Sequence, residues 1–542
     1  MDRQTAGKIA IIGLGPRGLG ALEALLQAAG SSERHLQIDI FDAHAHPGAG
    51  PNFDPREPTH CLLNIPLRDI HLRAPAELDV RSFADWMTPS MDEDAFPPRA
   101  DLGKYLHQRF TRLAHAPSHL RITRVPETIE RVLRGEDGWQ LSVGPKSHGP
   151  YDEVLIVPGQ PPIRPDDQLA EWQEHAAHTD AELAEAYPAR RLQAAAENWA
   201  GHRVAVRGFA LSSFDVIRVL TIGLGGEFSD DGYIPSGKEP ACIIPFSLDG
   251  QPPYPKPETD DINARYEPTP DETALFARAV FEASVGSAAE AKALLTDALI
   301  SPVHRILSAF SQGTNDTAIR DWLDREWTDP GAQETAPAQE TLTQGIAMAD
   351  GSLPPTIGYA VGQLWRKWQD PLRQGYNPAD TPPETATVIV GFDEGLKRYS
   401  YGPPVSACRE LLALIQAGIV TVDLAKDPDI TLTDTGWHLA NGDHSAAAEI
   451  MIDGVLPSPD PTKVTSSLVS GLIHGGYLTT LEDLGARTAP DGRLIDRNDK
   501  PVPGLSLLGR LALGSVIAAD SLHDCFGEAS SRWADGVLSR MP

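Results

Sequence analysis

The chain has 542 residues, of which 41% are hydrophobic, so it is long enough for two or more domains with buried cores. Its formal net charge of −29 at pH 7 argues against nucleic acid or an anionic membrane as a partner, because both would repel it. The sequence shows no signal-peptide pattern and no stretch near the ~20 apolar residues of a membrane helix, so we expect a cytoplasmic protein.

The cysteines and histidines do not follow a metal-binding or redox pattern. Cys61, Cys242, Cys408 and Cys525 lie far apart and form no C-x-x-C pair, which disfavours a dithiol reductase and a zinc ribbon. We interpret all four as small buried apolar residues. The 17 histidines show no H-E-x-x-H or comparable spacing, so we expect no metal site.

The N-terminal region has the pattern strand, glycine turn, helix, strand. KIAIIG (8–13) and LQIDIFD (36–42) predict strands, and LGALEALLQAAG (19–30) predicts the helix between them. This is half of a doubly wound α/β unit. Residues 43 to about 80 are rich in Pro, Asn, His and Arg, and we expect them to form loops over a cofactor.

The following region predicts two helices and several strands. FADWM (83–87) and ADLGKYLHQRFTRLAHA (100–116) favour helices, and residues 120–144 favour a small β-meander. YDEVLIVPG (151–159) predicts another strand, and a second strand–turn–helix unit begins at HRVAVRGFALSSFDVIRVL (202–220).

The C-terminal half is predicted to be mainly helical until about residue 418. Helical patterns dominate 268–330 and recur near 358–375 and 405–418, whereas 329–345 favours either a flexible connection or an ordered surface loop. Short strands are predicted at IVTVDL, ITLTD and EIMIDG, and the last 45 residues predict strand, glycine turn and helix.

The strongest motif is the G-x-G-x-x-G sequence that spans Gly13 to Gly18, because it lies between a predicted strand and a predicted helix. Gly13 permits the tight turn, Gly15 lets the backbone approach a pyrophosphate, and Gly18 lets helix and strand pack closely. The helix N-terminus then directs N–H groups and positive dipole at the phosphates, and Pro16 suits its first turn. Asp42 ends the second strand, where it would accept hydrogen bonds from ribose hydroxyls.

Three later segments favour FAD over NAD as the ligand of this turn. The segment 47–53 (PGAGPNF) resembles the glycine–aromatic turn beside the flavin in two-dinucleotide flavoproteins. YDEVLIVPGQ resembles their strand that ends in Ala-Thr-Gly, and PVPGLSLLGRLALGS resembles their C-terminal strand-to-helix turn. In that last turn the usual Gly-Asp is replaced by Gly509-Arg510.

A second nucleotide turn follows Gly208, with small residues at its key positions. Ala210 and Ser213 take the places of glycines, and the hydroxyls of Ser212 and Ser213 could bond phosphate oxygens. We expect this turn to bind NAD(P), with a purely structural α/β turn as the alternative. Lys238, in Ser-Gly-Lys, could meet a 2′-phosphate or could be a solvated loop lysine, so the preference for NADPH over NADH is mild.

Six segments follow one another along the chain: GLGPRGLGALEAL, PNFDPREPTHCLLNIP, FPPRADLGKYL, GFALSSFDV, YIPSGKEP and YGPPV. In this order they resemble a bacterial FAD/NAD(P)-binding family related to the flavin-dependent N-monooxygenases, some of which make nitrosuccinate from aspartate. The resemblance implies an FAD adenosine site at the first turn and Asp42, a polar Asn64 near the flavin ring, and a nicotinamide-nucleotide turn after Gly208. The family usually has Ser-Arg-x-Gly where this chain has Ser247-Leu248-Asp249-Gly250, which lacks the arginine.

The resemblance implies a monooxygenase in which NADPH reduces FAD and O2 forms a flavin C4a-hydroperoxide that oxygenates a small amine or amino acid. An FAD-dependent reductase or dehydrogenase without oxygenation, and a non-catalytic FAD-binding protein, are the alternatives. Asn64 is the one candidate catalytic residue, with a structural loop asparagine as its alternative. Arg68 and Arg73 are candidates for a substrate carboxylate, with ion pairs to Asp69 or Glu77 as the other interpretation.

The sequence thus predicts an α/β two-dinucleotide-binding-domain flavoprotein with Rossmann-like FAD and NAD(P) domains and a helical insertion. The FAD domain is expected at 1–195 and 430–542, the NAD(P) domain at 196–265 and 346–429, and the insertion at 266–345. Partners would be a small amine or amino acid and O2, and a homo-oligomer is compatible with the sequence. The predicted cofactor contacts are Gly13, Gly15, Pro16, Arg17, Gly18, Asp42, Asn52, Asn64, Gly159, Gly509 and Arg510 for FAD, and Gly208, Ala210, Leu211, Ser212, Ser213 and Lys238 for NADPH.

Overall fold

The computed structural model describes residues 7–32, 34–87, 91–115, 119–310 and 313–541. The strands within these ranges are β1 (Gly7–Ile12), β2 (Leu36–Phe41), β3 (Leu120–Val125), β4 (Arg131–Arg134), β5 (Trp139–Val143), β6 (Lys146–Tyr151), β7 (Glu153–Ile156), β8 (Glu182–Glu185), β9 (Arg203–Arg207), β10 (Glu227–Ser229), β11 (Gly232–Ile234), β12 (Cys242–Phe246), β13 (Asp429–Thr433), β14 (Gly436–Asn441), β15 (His444–Ala448), β16 (Ile450–Asp453), β17 (Arg493–Ile495) and β18 (Pro501–Leu507).

The helices of the described residues are concentrated in the second half of the chain. They are α1 (Pro16–Ser32), α2 (Phe83–Met87), α3 (Arg99–His115), α4 (Asp167–His178), α5 (Ala189–Ala196), α6 (Leu211–Leu220), α7 (Asp260–Ala264), α8 (Pro270–Val285), α9 (Ala288–Ala309), α10 (Asp316–Thr328), α11 (Ala338–Ala349), α12 (Ile357–Lys367), α13 (Gln369–Tyr376), α14 (Pro383–Ser400), α15 (Val405–Gln416), α16 (Ser467–Gly475), α17 (Leu522–Cys525) and α18 (Glu528–Arg540).

The first sheet has the strand order β17-β18-β7-β1-β2-β3, and all neighbours are parallel except β17 and β18. After a charged residue near the start of each, Lys8 and Glu153, its central strands β1 and β7 are apolar and buried, since both faces are covered. Helix α1 packs on one face together with α3 and α18, and the antiparallel sheet β4-β5-β6 and α16 cover the other.

The second sheet is fully parallel, with the order β12-β9-β16-β8. Helices α5, α6 and α15 share one hydrophobic core with its strands, and β13-β14-β15 and α4 contribute to the core on the other side. Helices α8 to α14 form a separate core around aromatic residues such as Trp365 and Trp368. The predicted α/β class with two Rossmann-like sheets and an added helical region is therefore confirmed.

An ion-paired cluster joins the two sheet regions. Arg99 at the start of α3 lies 3.0 Å from the Asp215 carboxylate of α6, and the Tyr187 hydroxyl donates to the same carboxylate at 2.5 Å. Asp215 follows the second nucleotide turn by only a few residues. The contact therefore fixes that turn relative to the first sheet.

Several elements differ from the sequence-based predictions. LRITRV is β3 of the main sheet instead of a strand of the meander, and IVTVDL is not a strand but makes one bridge from Val420 to Ile243. Helix α11 occupies the second half of the 329–345 connection, and α14 was not predicted. After β18 a short 3-10 helix (Arg510–Ala512) follows, and the long C-terminal helix α18 begins only at Glu528.

The predicted domain boundaries also differ from the sheets at two places. Strands β8 and β16 belong to the second sheet, although their residues fall in the ranges predicted for the FAD domain. Helices continue through residues 357–416, which were predicted as part of the NAD(P) domain. These boundaries depend on which distant strands pair with one another, and local sequence patterns carry no information about that pairing.

A buried ion pair between α1 and α3 supports the helix that carries the first turn. Arg109 is 0% exposed and Glu23 is 4% exposed, and Arg109 Nε donates to Glu23 Oε1 at 2.9 Å. Burial raises the pKa of Glu23, whereas Arg109 opposes that change. The Arg109 guanidinium also lies 4.3 Å from the centroid of the Phe526 ring, so it contacts the C-terminal segment.

We predict that Glu23→Ala lowers the free energy of unfolding by about 3–5 kcal/mol, because it leaves the Arg109 charge buried without its partner. Asp297→Ala is the matched control, since it removes the acid of an exposed pair with Arg320, 2.7 Å away, and such pairs contribute about 0–1 kcal/mol. Urea unfolding measures both variants. Equal losses in the two variants would contradict the role given to the Glu23–Arg109 pair.

Candidate active site

One cleft of about 2670 Å³ opens where the carboxyl ends of both parallel sheets meet. Its lining includes the residues that directly follow β1, β2, β7 and β18 of the first sheet and β8, β9, β12 and β16 of the second. Ligands of open α/β sheets bind at this edge, because strand-to-helix turns present backbone groups there. Helices α12, α13 and α14 supply a further wall.

The first glycine turn has the geometry of a dinucleotide cradle. Gly13 has a φ of +96°, and a Cβ there would lie 2.3 Å from the carbonyl oxygen of Val157, so only glycine fits. At Gly18 a Cβ would lie 2.5 Å from the Gly13 carbonyl oxygen, which confirms close helix–strand packing. Gly15 faces Gly50 across the cleft, with 3.7 Å between its ideal Cβ and the Gly50 Cα.

Asp42 holds the loop at the end of β2. Its Oδ2 accepts a hydrogen bond from the Leu14 amide at 2.6 Å, and Oδ1 accepts one from the His44 amide at 2.7 Å. The carboxylate therefore connects β2 directly to the glycine turn. Lone pairs remain for ribose hydroxyls, since a carboxylate accepts about four hydrogen bonds.

The arginine predicted in this turn has a structural partner. Arg17 Nη1 lies 2.6 Å from Asp524, and Nη2 donates to the Ala519 carbonyl at 2.8 Å. Its side chain thus joins the start of α1 to α17 and to the segment before that helix. The Arg17 backbone still belongs to the first helical turn, where N–H groups have no intrahelical acceptor.

Arg510 is likewise engaged by an acid of the same segment. Its Nη1 lies 2.7 Å from Asp520, and Lys397 of α14 lies 2.6 Å from the same carboxylate. Burial disfavours the charged form of Asp520, but Lys397 and Arg510 outweigh this effect and lower its pKa. Asn52, Gly159 and Gly509 line the cleft as well.

The second nucleotide turn also opens into the cleft. Gly208 has a φ of +105°, and a Cβ there would lie 3.3 Å from Gly454, which follows the neighbouring strand. Ala210, Leu211 and Ser212 line the cleft at the start of α6.

Two residues predicted for NADPH do not reach the cleft in the part of the chain that the structure describes. Ser213 is 1% exposed, and its hydroxyl donates to the Ala210 carbonyl at 2.6 Å, so it cannot also donate to a phosphate. Lys238 lies on an exposed loop and is absent from the cleft lining. The interpretation as a solvated loop lysine is therefore preferred for Lys238.

The candidate substrate residues are placed differently from one another. Asn64 lines the cleft, and its carbonyl accepts a hydrogen bond from Lys256. Arg68 is buried and pairs with Asp94, with Asp69 at 3.9 Å. Arg73 also lines the cleft but is exposed, and it has no ion pair within the described ranges, so the predicted pair with Glu77 is wrong there.

Two basic residues that the sequence analysis missed complete this wall. Lys256 is 5% exposed and belongs to a buried proline-rich segment, QPPYPK (251–256). Arg366 of α12 lies 3.4 Å from Asp69. Burial and, to a smaller extent, Arg366 lower the pKa of Lys256 to about 7, while Asp69 opposes them.

The other residue classes give no further site. All four cysteines are free thiols, and burial raises the pKa of each of them, which makes them poor nucleophiles. In the described ranges no group of three or more His, Cys, Asp or Glu side chains is placed to hold a metal ion. None of the described helices combines the length and the apolar character needed to cross a membrane.

Comparison with known proteins agrees with this geometry. The model of a family described as FAD-NAD(P)-binding matches residues 10–161, which include the first turn and Asp42. Two L-aspartate N-monooxygenases (nitrosuccinate-forming) are similar over most of the chain. The enzyme of Streptomyces davaonensis is 25% identical over 87% of this chain and 85% of its own, and that of Streptomyces cremeus is 26% identical over 89% and 85%.

The chain is thus similar to FAD/NAD(P)-binding proteins in its N-terminal part and to N-monooxygenases over most of its length, which agrees with the resemblance seen in the sequence. These similarities support the class predicted for the chain, a flavin-dependent oxidoreductase with FAD and NAD(P) as cofactors. The glycine turn fits that assignment, because close packing of its backbone against β1 and Val157 requires glycine at Gly13 and Gly18 and places the start of α1 at the cleft.

Two experimental structures share the fold of this chain. The ornithine hydroxylase of Pseudomonas aeruginosa matches with a TM-score of 0.52 and 11% identity, over 99% of this chain and 100% of its own. The cadaverine monooxygenase of Erwinia amylovora, described as bound to FAD, matches with a TM-score of 0.51 and 12% identity, over 99% of this chain and 96% of its own.

We predict that Gly15→Ala weakens FAD binding at least ~10-fold while the apoprotein stays folded, because the added methyl group meets Gly50 at an ordinary distance but blocks a pyrophosphate. Flavin absorbance after reconstitution measures retention, and thermal unfolding of the apoprotein measures folding. Gly30→Ala in the same helix is the control, since its Cβ would meet no atom within 4 Å. Full FAD retention by Gly15→Ala would contradict the cradle.

A second prediction concerns the pH dependence of stability. The pKa of Lys256 falls from 10.5 to about 7 on folding, so the folded chain binds fewer protons between these values. The contribution of Lys256 to the free energy of unfolding therefore rises with pH across this window. Thermal unfolding of wild type and Lys256→Met is measured at pH 7 and pH 9. The stability of wild type relative to the variant should be greater at pH 9 than at pH 7, and the same relative stability at both pH values would contradict this prediction.

Proposed function

We propose that this protein is an FAD-dependent, NADPH-driven monooxygenase that N-hydroxylates an amino acid with an acidic side chain, with L-aspartate as the first candidate. One observation carries the proposal: two nucleotide turns, one from each parallel sheet, open into a single cleft that also has a basic wall. A dinucleotide on each turn would bring a hydride donor and a flavin together, as this chemistry requires.

The first turn is assigned to FAD. Gly13, Gly15 and Gly18 would let the α1 amides reach the pyrophosphate, and Asp42 would accept from the adenosine ribose. When bound, FAD supplies hydride acceptance from NADPH and the activation of O2. Further contacts are proposed for the backbones of Pro16 and Arg17 and for Asn52, Asn64, Gly159, Gly509 and Arg510.

The second turn is assigned to NADPH. The uncapped N-terminus of α6 and the hydroxyl of Ser212 would hold its phosphates, together with Gly208, Ala210 and Leu211. The contact of Asp215 with Arg99 keeps α6 against the first sheet, which maintains the separation of the two cofactors. NADPH is preferred over NADH by similarity to the family alone.

The protein's task in the reaction is to bind, orient and exclude water. In the overall reaction NADPH supplies two electrons as hydride. One oxygen atom of O2 is added to the amine nitrogen, and the other leaves as water with the hydrogen of that hydride and a proton. Water must be kept from the reacting centre, and the helical wall formed by α12, α13 and α14 closes that side of the cleft. Asn64, which lines the cleft, is the proposed contact to the reacting centre.

The relatives support the amino-acid substrate. The two Streptomyces enzymes are named for L-aspartate and for nitrosuccinate formation, and a third relative, from Aspergillus oryzae, is named nitrosuccinic acid synthase and is 29% identical over 44% of this chain. Aspartate carries two carboxylates, which agrees with a basic wall in a chain of net charge −29.

The test is NADPH oxidation by the FAD-loaded protein with and without L-aspartate and O2. We expect aspartate to accelerate NADPH oxidation, the acceleration to need O2, and mass spectrometry to detect an N-oxygenated product. A panel of other amino acids and polyamines serves as the comparison for substrate class. NADPH-dependent reduction of quinones or dyes with no oxygenated product from any amine would instead identify a reductase and overturn the proposal.

A further inference from the structure

Lys256 is held in place by the segment around it. The Tyr359 hydroxyl donates to the Pro255 carbonyl at 2.9 Å, and Arg68 Nη2 donates to the Pro257 carbonyl at 3.0 Å. The carbonyls on both sides of the lysine are therefore fixed, and prolines flank it. Its ammonium reaches the cleft and donates to the carbonyl of Asn64. Little conformational entropy remains to be lost when a ligand binds Lys256.

The acids near Lys256 are paired with arginines and not with the lysine. Asp69 is the acid that faces it, and Arg366 already lies 3.4 Å from that carboxylate, with Arg68 at 3.9 Å. Arg68 also pairs with Asp94 and lies 3.9 Å from Asp260, so the acids of this wall are engaged by the two arginines. Among the described residues no salt bridge joins a carboxylate to the Lys256 ammonium, and a buried charge without such a partner is unfavourable until an anion joins it.

A second donor at the same place lacks a partner. Arg68 Nε is buried and makes no hydrogen bond within the described part of the chain, although the Arg68 side chain is only 8% exposed. Buried guanidinium nitrogens are normally satisfied. Arg68 Nε, which lies 3.9 Å from Asp69 and Asp260 and so beyond hydrogen-bond distance, and the Lys256 ammonium together offer two donors at one cleft wall, an arrangement that suits a carboxylate.

We propose that Lys256, with Arg68 and Arg366, forms the subsite that binds the side-chain carboxylate of the substrate and selects an acidic amino acid over a neutral one. This inference rests on the proposed function and adds the residues that determine specificity. The link from Lys256 to Asn64 places the anion beside the residue assigned to the reacting centre. Lys256 acts here as a binding residue, and Asp69 keeps the two arginines oriented.

The test uses succinate, which has two carboxylates and no amine, so it binds without being oxygenated. Isothermal titration calorimetry on the FAD-loaded protein should show succinate binding that weakens at least ~10-fold in Lys256→Gln and is largely retained in Lys256→Arg, because the arginine keeps the charge. Lys292→Gln is the matched control, since Lys292 pairs with Asp324 at 3.2 Å on the helical surface. It should bind succinate like wild type.

Steady-state kinetics provides the second measurement. For an acidic amino acid, Lys256→Gln should raise KM at least ~10-fold with a smaller change in kcat, since uniform binding is lost. Succinate affinity that stays within twofold of wild type in a folded Lys256→Gln would overturn the inference, as would an equal loss in Lys292→Gln. Failure of wild type to oxygenate any amine would contradict the proposed function, whereas the succinate measurement would still test the role of Lys256 in binding a carboxylate.

Discussion

Backbone N–H groups in the first turn of α1 have no acceptor inside the helix, and the cleft is arranged around them. They can face a ligand only because α1 lies against β1 and β7, and that approach depends on Gly13 meeting the Val157 carbonyl without a side chain between them. Asp42 then holds the Leu14 amide from the neighbouring strand. The buried Glu23–Arg109 pair and the Arg17–Asp524 pair keep the same helix against α3 and the C-terminal segment.

The fold was predictable where one segment contains its own pattern. The alternation of apolar runs and the glycine turn predicted β1, α1 and β2 within a few residues. Patterns could not show which strand pairs with which, and so LRITRV was assigned to the meander although it extends the main sheet as β3. IVTVDL has β-branched residues in a strand-like order, but within it only Val420 forms a bridge, to Ile243 in the edge strand β12.

The candidate site was predictable to the extent that backbone geometry defines it. Glycines and small residues indicated both turns, whereas Lys256 gave no signal beyond a single lysine in a proline-rich stretch. Its importance comes from burial by α12 and by the loop that carries Arg68, and these contacts join segments about 190 residues apart in sequence. Ser213 shows the opposite case: it fits the motif, but the helix start turns its hydroxyl back to Ala210.

The acidic exterior and the contacts inside the cleft act on an incoming dinucleotide over different distances. The net charge of −29 repels a phosphorylated ligand far from the protein, where added salt screens the force beyond roughly 10 Å at 0.1 M. Contacts inside the cleft are shielded from that screening. Moderate ionic strength therefore speeds the encounter of NADPH with this protein more than it weakens the complex, which is the reverse of the behaviour of nucleotide sites on basic proteins.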